Sequence, residues 1–126
     1  MTYLPRFVAL AVLCFLNACS GGDSGTTIPV SSPPPTPVPA AEVAATTALA
    51  FDPPTVTIVQ GGTVTFDFQS VAHNVFFDAT AGAPQSITQP TSNTSVTLTF
   101  ATAGTFGYTC HIHPYMHGTV TVVAAK

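Results

Sequence analysis

From residue 55 to residue 122 the chain keeps returning to one pattern, a threonine beside an apolar residue at period two. Val56 and Ile58 alternate with Thr55 and Thr57, and Val64, Phe66 and Phe68 alternate with Thr63, Thr65 and Asp67. Val96, Leu98 and Phe100 alternate with Thr97 and Thr99. Phe106, Tyr108 and Cys110 alternate with Thr105, Gly107 and Thr109, and Val120 and Val122 with Thr119 and Thr121. In a strand, successive side chains point to opposite faces, so each apolar set lines one face and the threonines the other. The same spacing gives a helix no continuous apolar stripe. Asp52-Pro53-Pro54, Gly61-Gly62 and Ala103-Gly104 interrupt the runs with turn residues. Short strands at this spacing predict an all-β sandwich or barrel, beginning near Ala44. A domain of about 80 residues buries only a small core. A bound metal would stabilise it by favouring the folded state.

The rest of the chain has another composition. Residues 1–18 carry Arg6 and then the apolar run Phe7–Leu16, too short to span a bilayer and suited to a secretory signal. Leu16-Asn17-Ala18-Cys19 resembles a bacterial lipobox, which implies cleavage before Cys19 and acylation of Cys19 itself. Acyl chains would anchor the protein without a transmembrane helix. The expected location is the cell envelope, on the outer membrane facing the periplasm or the exterior, as Ser20 resembles outer-membrane sorting. Residues 19–44 read as a tether. Gly21-Gly22-Asp23-Ser24-Gly25 is flexible, and the prolines from Pro29 to Pro39 stiffen the chain toward polyproline II. Residues 45–126 are left as the globular domain. Only 6% of all residues are charged and the formal net charge is −3. Once Arg6 is removed, Lys126 faces Asp23, Glu42, Asp52, Asp67 and Asp78. With no basic patch, nucleic acid is excluded as a partner.

Few mature side chains can bind a soft metal. Of the 3 cysteines, Cys14 leaves with the signal and Cys19 would be acylated, so Cys110 is the free thiol. Met116 is the methionine that remains once Met1 is removed. His111, His113 and His117 lie within seven residues of Cys110, and His73 completes the 4 histidines. A lone cysteine in an exported chain has no disulfide partner. The alternation puts Cys110 on the buried face with Phe106 and Tyr108, yet burial alone does not account for His113 and Met116 behind it. If the strand ends at Cys110 and a turn follows, positions i and i+3 come within about 7 Å. Cys110 and His113 then reach one ion. His113 and Met116 repeat the offset, with Pro114 at the second turn position, where its fixed φ is favoured. His111 should point away. A thiolate, two imidazoles and a thioether suit copper, and two histidines and a cysteine with a distant axial methionine form the blue-copper arrangement. Zinc also takes sulfur and nitrogen ligands, but thioether ligation argues against it.

These residues carry a resemblance to the cupredoxins, the family of plastocyanin, pseudoazurin and amicyanin, over roughly residues 45–126. Phe51-Asp52-Pro53, Val56-Thr57-Ile58 and Gly61-Gly62-Thr63-Val64-Thr65-Phe66 are similar to the family's opening strands. His73-Asn74-Val75 resembles the segment of the first histidine ligand, and Ala103-Gly104-Thr105-Phe106-Gly107-Tyr108-Thr109-Cys110 the approach to the cysteine ligand. His113-Pro114-Tyr115-Met116 followed by Gly118 most resembles amicyanin, with its short gap before the methionine. The resemblance implies a Greek-key β-sandwich of about seven to eight strands. It implies one mononuclear type-1 copper with His73, Cys110 and His113 as strong ligands and Met116 as the axial one. Asn74 would tie the two ligand loops together. Ile112 departs from the proline found before the second histidine in related short-loop proteins, and His111 and His117 are extra. With no acid–base pair or nucleophile constellation in view, the expected protein is not an enzyme. It is expected to carry single electrons between redox-partner proteins of the envelope. Copper storage or delivery is the alternative.

Overall fold

The computed structural model describes residues 32–126. The expected signal peptide and the acylated Cys19 lie outside the described residues. Eight strands follow in order: β1 (Val38–Ala45), β2 (Phe51–Asp52), β3 (Thr55–Phe68), β4 (His73–Phe77), β5 (Ile87–Thr91), β6 (Thr94–Thr99), β7 (Gly104–Thr109) and β8 (His117–Val123). No helix occurs among the described residues, and none is long and apolar enough to cross a membrane. The all-β expectation holds.

One long strand organises the sandwich. The first part of β3, Thr55–Val59, runs parallel to Thr119–Val123 of β8. Its second part, Thr63–Phe68, pairs with β6 on one side and with β1 on the other. The switch falls at Gly61-Gly62. Gly61 has φ 81°, a left-handed conformation open to glycine without steric cost. A Cβ on Gly62 would meet the carbonyl oxygens of Pro39 and Val59 at 2.7 and 2.8 Å. Through this strand β1, β2 and β6 are linked to the β8-β7-β4-β5 series. Hairpin neighbours β1 and β2, β4 and β5, and β7 and β8 pair directly, while longer connections bring β8 beside β3 and β7 beside β4, the mixture of hairpins and long returns found in Greek keys.

The alternating apolar residues meet between the layers. Val56, Ile58, Val64, Phe66, Phe68, Phe100, Phe106, Tyr108, Cys110, Val120 and Val122 are all buried, joined by Val43, Ala45, Phe51 and Val75. Phe66 and Tyr108 meet edge-on with ring centroids 5.2 Å apart, and Phe100 and Phe106 lie at 5.7 Å. Burying each such ring contributes roughly 1.5–3 kcal/mol. In β4, Phe77 packs against the core, while Phe76 beside it turns toward His111.

The boundary of the expected tether needs correction. Residues 38–44 fall within the expected tether, but Val38–Ala45 is strand, with Val43 and Ala45 fully buried. The prolines that suggested a tether end at Pro39, which sits at an irregularity in the pairing of β1 with β3. Proline lacks a donor and is tolerated at such a bulge. From Ala40 onward the register is regular.

Candidate metal centre

His73 opens β4 and is fully buried. Cys110 follows the last residue of β7 and is also buried. The loop after it closes on itself. The Cys110 amide donates to the Met116 carbonyl at 2.9 Å, and the Met116 amide donates to the His113 carbonyl at 2.9 Å. The second bond spans i to i+3, so the expected turn at His113–Met116 is present, with Pro114 at its second position. Residues 111–113 form bends, with no hydrogen-bonded turn closing over Cys110–His113. His113 is half-buried, while Met116 is buried beneath the loop.

Three donor atoms converge from these elements. Nδ1 of His73 and Nδ1 of His113 lie 3.0 Å apart. Sγ of Cys110 lies 4.0 Å from the first and 3.8 Å from the second. A point about 2.1 Å from all three completes this triangle, close to the roughly 2.0–2.3 Å of metal bonds to nitrogen and sulfur. The donor set therefore fits a single ion. Among the described residues this is the group of histidine, cysteine or acidic side chains brought together in this way.

The ring of His73 is fixed from behind. Its Nε2 lies 3.0 Å from the carbonyl oxygen of Thr46. A carbonyl can only accept, so Nε2 carries the proton and the Nδ1 lone pair faces the donor triangle. Burial pushes His73 below the ordinary imidazole range. The Thr46 bond pulls it back up, and the neighbouring His113 lowers it further. The neutral ring, the form able to bind a metal, is thereby favoured.

Asn74 ties the two segments together as expected. Its Oδ1 accepts the His111 amide at 2.7 Å, a contact across 37 residues. His111 itself is exposed and stacks flat on Phe76, with ring centroids 3.8 Å apart and an interplanar angle of 5°. Neither His111 nor His117 belongs to the donor group. Beside the loop, a cleft of about 510 Å³ is lined by Leu49, Phe51, Asp52, Tyr115, Met116 and His117 among others. Tyr115 is 95% exposed at its rim. Deeper in, the Tyr108 hydroxyl is buried without a hydrogen-bond partner, and burial pushes this phenol upward. The residue that sequence reasoning missed is Thr46, which acts through its main chain and so leaves no side-chain signal.

A Greek-key sandwich that gathers two imidazoles and a thiol at one end, on a short loop closed by a methionine, is of the cupredoxin class. The chain belongs to the plastocyanin/azurin family of copper binding proteins, whose family model matches residues 39–123. Copper is accordingly the metal of this site, in keeping with its sulfur and imidazole donors. The chain is 35% identical over 75 residues to amicyanin-alpha of Methylorubrum extorquens, covering 57% of this chain and 63% of that relative. It thus spans less than two thirds of the relative's length. An oxidized proline-to-alanine variant of amicyanin superposes with a TM-score of 0.57 at 31% identity, over 66% of this chain and 81% of the other. The copper-containing nitrite reductase of Thermus scotoductus SA-01 gives a TM-score of 0.57 at 25% identity, over 75% of this chain but 24% of the reductase.

Proposed function

We propose that this protein is a single-electron carrier with one type-1 copper, held by His73, Cys110 and His113 and capped by Met116. The observation that carries the reading is the convergence of three donor atoms on one point from a closed loop and a buried strand end. Copper bound there would supply the one-electron couple. The protein's own part is to hold the donors still. The Thr46 carbonyl fixes the His73 ring, the Asn74 side chain holds the loop at His111, and the Met116 main chain closes the loop on Cys110. Donors that keep their places in both oxidation states keep the barrier to transfer low. His113 is the donor nearest the surface, beside exposed Pro114 and Tyr115, and offers the electron its way out to a redox-partner protein.

The reading extends to location. The lipobox-like Leu16-Asn17-Ala18-Cys19 supports an acylated Cys19 that anchors the domain to the cell envelope, on the outer membrane. Burial of His73, Cys110 and Met116 speaks against storage or delivery, which needs ligands open to exchange. The reading is of a carrier and not an enzyme, and the likeness to a nitrite reductase touches only a quarter of that protein.

The test is to load the copper-free protein with Cu(II) and record its optical and paramagnetic resonance spectra, then its electron self-exchange. An intense blue absorption with rapid exchange and copper retained through the cycle is expected. Copper that passes to a chelating acceptor, with slow electron exchange, would establish delivery instead.

A further inference from the structure

The carbonyl that fixes His73 belongs to a turn far away in the chain, and that turn is not self-sufficient. The Thr46 carbonyl accepts both His73 Nε2–H at 3.0 Å and the Leu49 amide at 3.1 Å. The Thr46 amide and its hydroxyl donate to the Ala50 carbonyl at 2.9 and 3.0 Å. To close this turn, Leu49 adopts φ 59°. Left-handed backbone is sterically disfavoured for a residue other than glycine. The Leu49 side chain is 46% exposed and recovers little by packing.

The compensating contact comes from Gln69, the residue after β3. Its Oε1 accepts the Thr47 amide at 3.1 Å across 22 residues. Its own amide donates to the Ala45 carbonyl at 3.2 Å, and its carbonyl accepts the Asn93 amide at 2.9 Å. Three bonds thus fasten Gln69 to the start of the 46–50 turn and to the β5–β6 connection. Gln69 also stands four residues before His73, so it links the turn that carries the carbonyl to the segment that carries the ring.

We propose that Gln69 is a positioning residue for the copper site: it pins the 46–50 turn and so keeps the Thr46 carbonyl on Nε2 of His73. This rests on the ligand role of His73 argued above. When the turn opens, Nε2 loses its acceptor, and the tautomer that bares Nδ1 loses its advantage. An exposed amide bond of this kind contributes about 1 kcal/mol, so its loss raises the open population about five-fold.

The test compares Gln69→Leu, which removes the acceptor, with Gln69→Glu, which retains one. Leu49→Val, a β-branched residue disfavoured at positive φ, is paired with Leu49→Gly, which accepts it. Nitrogen-15 NMR of the copper-free full chain reads solvent exchange of the His73 Nε2–H and of the core amides of Phe66 and Val120. Copper dissociation is followed on the loaded protein. Gln69→Leu and Leu49→Val are expected to speed His73 Nε2–H exchange about five-fold and to speed copper loss. Gln69→Glu and Leu49→Gly should match the parent or exchange more slowly, with core amides unchanged throughout. Parent-like His73 exchange in Gln69→Leu overturns the proposal, as does equal acceleration of the core amides, which would mark a general loss of stability. His73→Ala serves as the control for the ligand reading. If it retains the copper spectrum, His73 is not a ligand, while the exchange data still report on the brace.

Discussion

Gly118→Ala is expected to be among the most damaging single-methyl additions in this domain. Gly118 in β8 pairs directly with Tyr108 in β7, so both present substituents to the same face. The tyrosine ring lies over the glycine, and a Cβ at 118 would fall inside the contact distance of its Cζ and Oη. The ring has little room to withdraw. Phe51 meets it edge-on at 4.9 Å, Phe66 at 5.2 Å and Phe77 at 5.8 Å. Overpacking of this kind costs about 1–3 kcal/mol. For a domain of this size each kcal/mol lowers the melting temperature by roughly 4–8 °C, so a cost of about 2 kcal/mol gives a fall of roughly 8–16 °C. Urea unfolding of the copper-free protein, followed by circular dichroism, reads the cost. A double-mutant cycle identifies its source. Tyr108→Phe alone removes a buried hydroxyl with no partner, and should be neutral or stabilising by about 1 kcal/mol. It leaves the clash at Cζ, so Gly118→Ala stays costly in that background. In a Tyr108→Leu background the same substitution should cost much less, a coupling of about 1 kcal/mol or more. A Gly118→Ala protein within about 0.5 kcal/mol of the parent would refute the reasoning. So would an equal cost with and without the aromatic ring.

Three further outcomes are expected. Asn74→Leu removes a buried acceptor from the His111 amide, and should destabilise by about 1–3 kcal/mol. Its copper spectrum should broaden as the loop loosens; a sharp parent-like spectrum would show that the loop closes without it. Cys110→Ser should abolish the intense blue absorption of the Cu(II) protein while its circular dichroism remains that of a β-sandwich. Copper-free protein should lose stability as the pH falls below 6.5, the ordinary imidazole value. Burial lowers the folded-state pKa of His73, so the unfolded chain takes up the proton first, and stability present above that pH is lost on acidification. His73→Gln should flatten this part of the pH–stability curve, and an unchanged slope would assign it to other groups.

Much of this architecture was legible from period two. The alternation placed Val56, Ile58, Val64, Phe66, Phe106, Tyr108 and Val120 inside, and all are buried. It also put Cys110 on the inner face, and the i to i+3 spacing placed His113 near it, as the 3.8 Å separation shows. What escaped was carried by the main chain. β1 was hidden because Pro39 masks its first residues and its buried members are the small Val43 and Ala45. The Thr46 carbonyl has no sequence signature, since any residue could supply it. The contact between Gly118 and Tyr108 did leave a mark, a glycine within a strand pattern, which signals close approach of another group.

The same features explain why the site and the core are not separable. A buried imidazole, a buried thiol and a second imidazole are costly contents for an apolar interior unless each polar atom finds a partner. His73 has a main-chain partner for Nε2, which leaves Nδ1 only as an acceptor. His113 presents its own Nδ1 to that atom at 3.0 Å. Without metal the two nitrogens are accommodated only if His113 holds its proton there. With a metal ion at the centre, both lone pairs and the thiolate are satisfied at once. Copper loading therefore removes a local conflict that the fold maintains in advance. Strands β4 and β7 and the closed loop hold two sides of it against the core behind them, and the 46–50 turn, tied down by Gln69, holds the third. A site kept under that constraint has little freedom to rearrange when its charge changes by one electron, and this is the property a carrier needs.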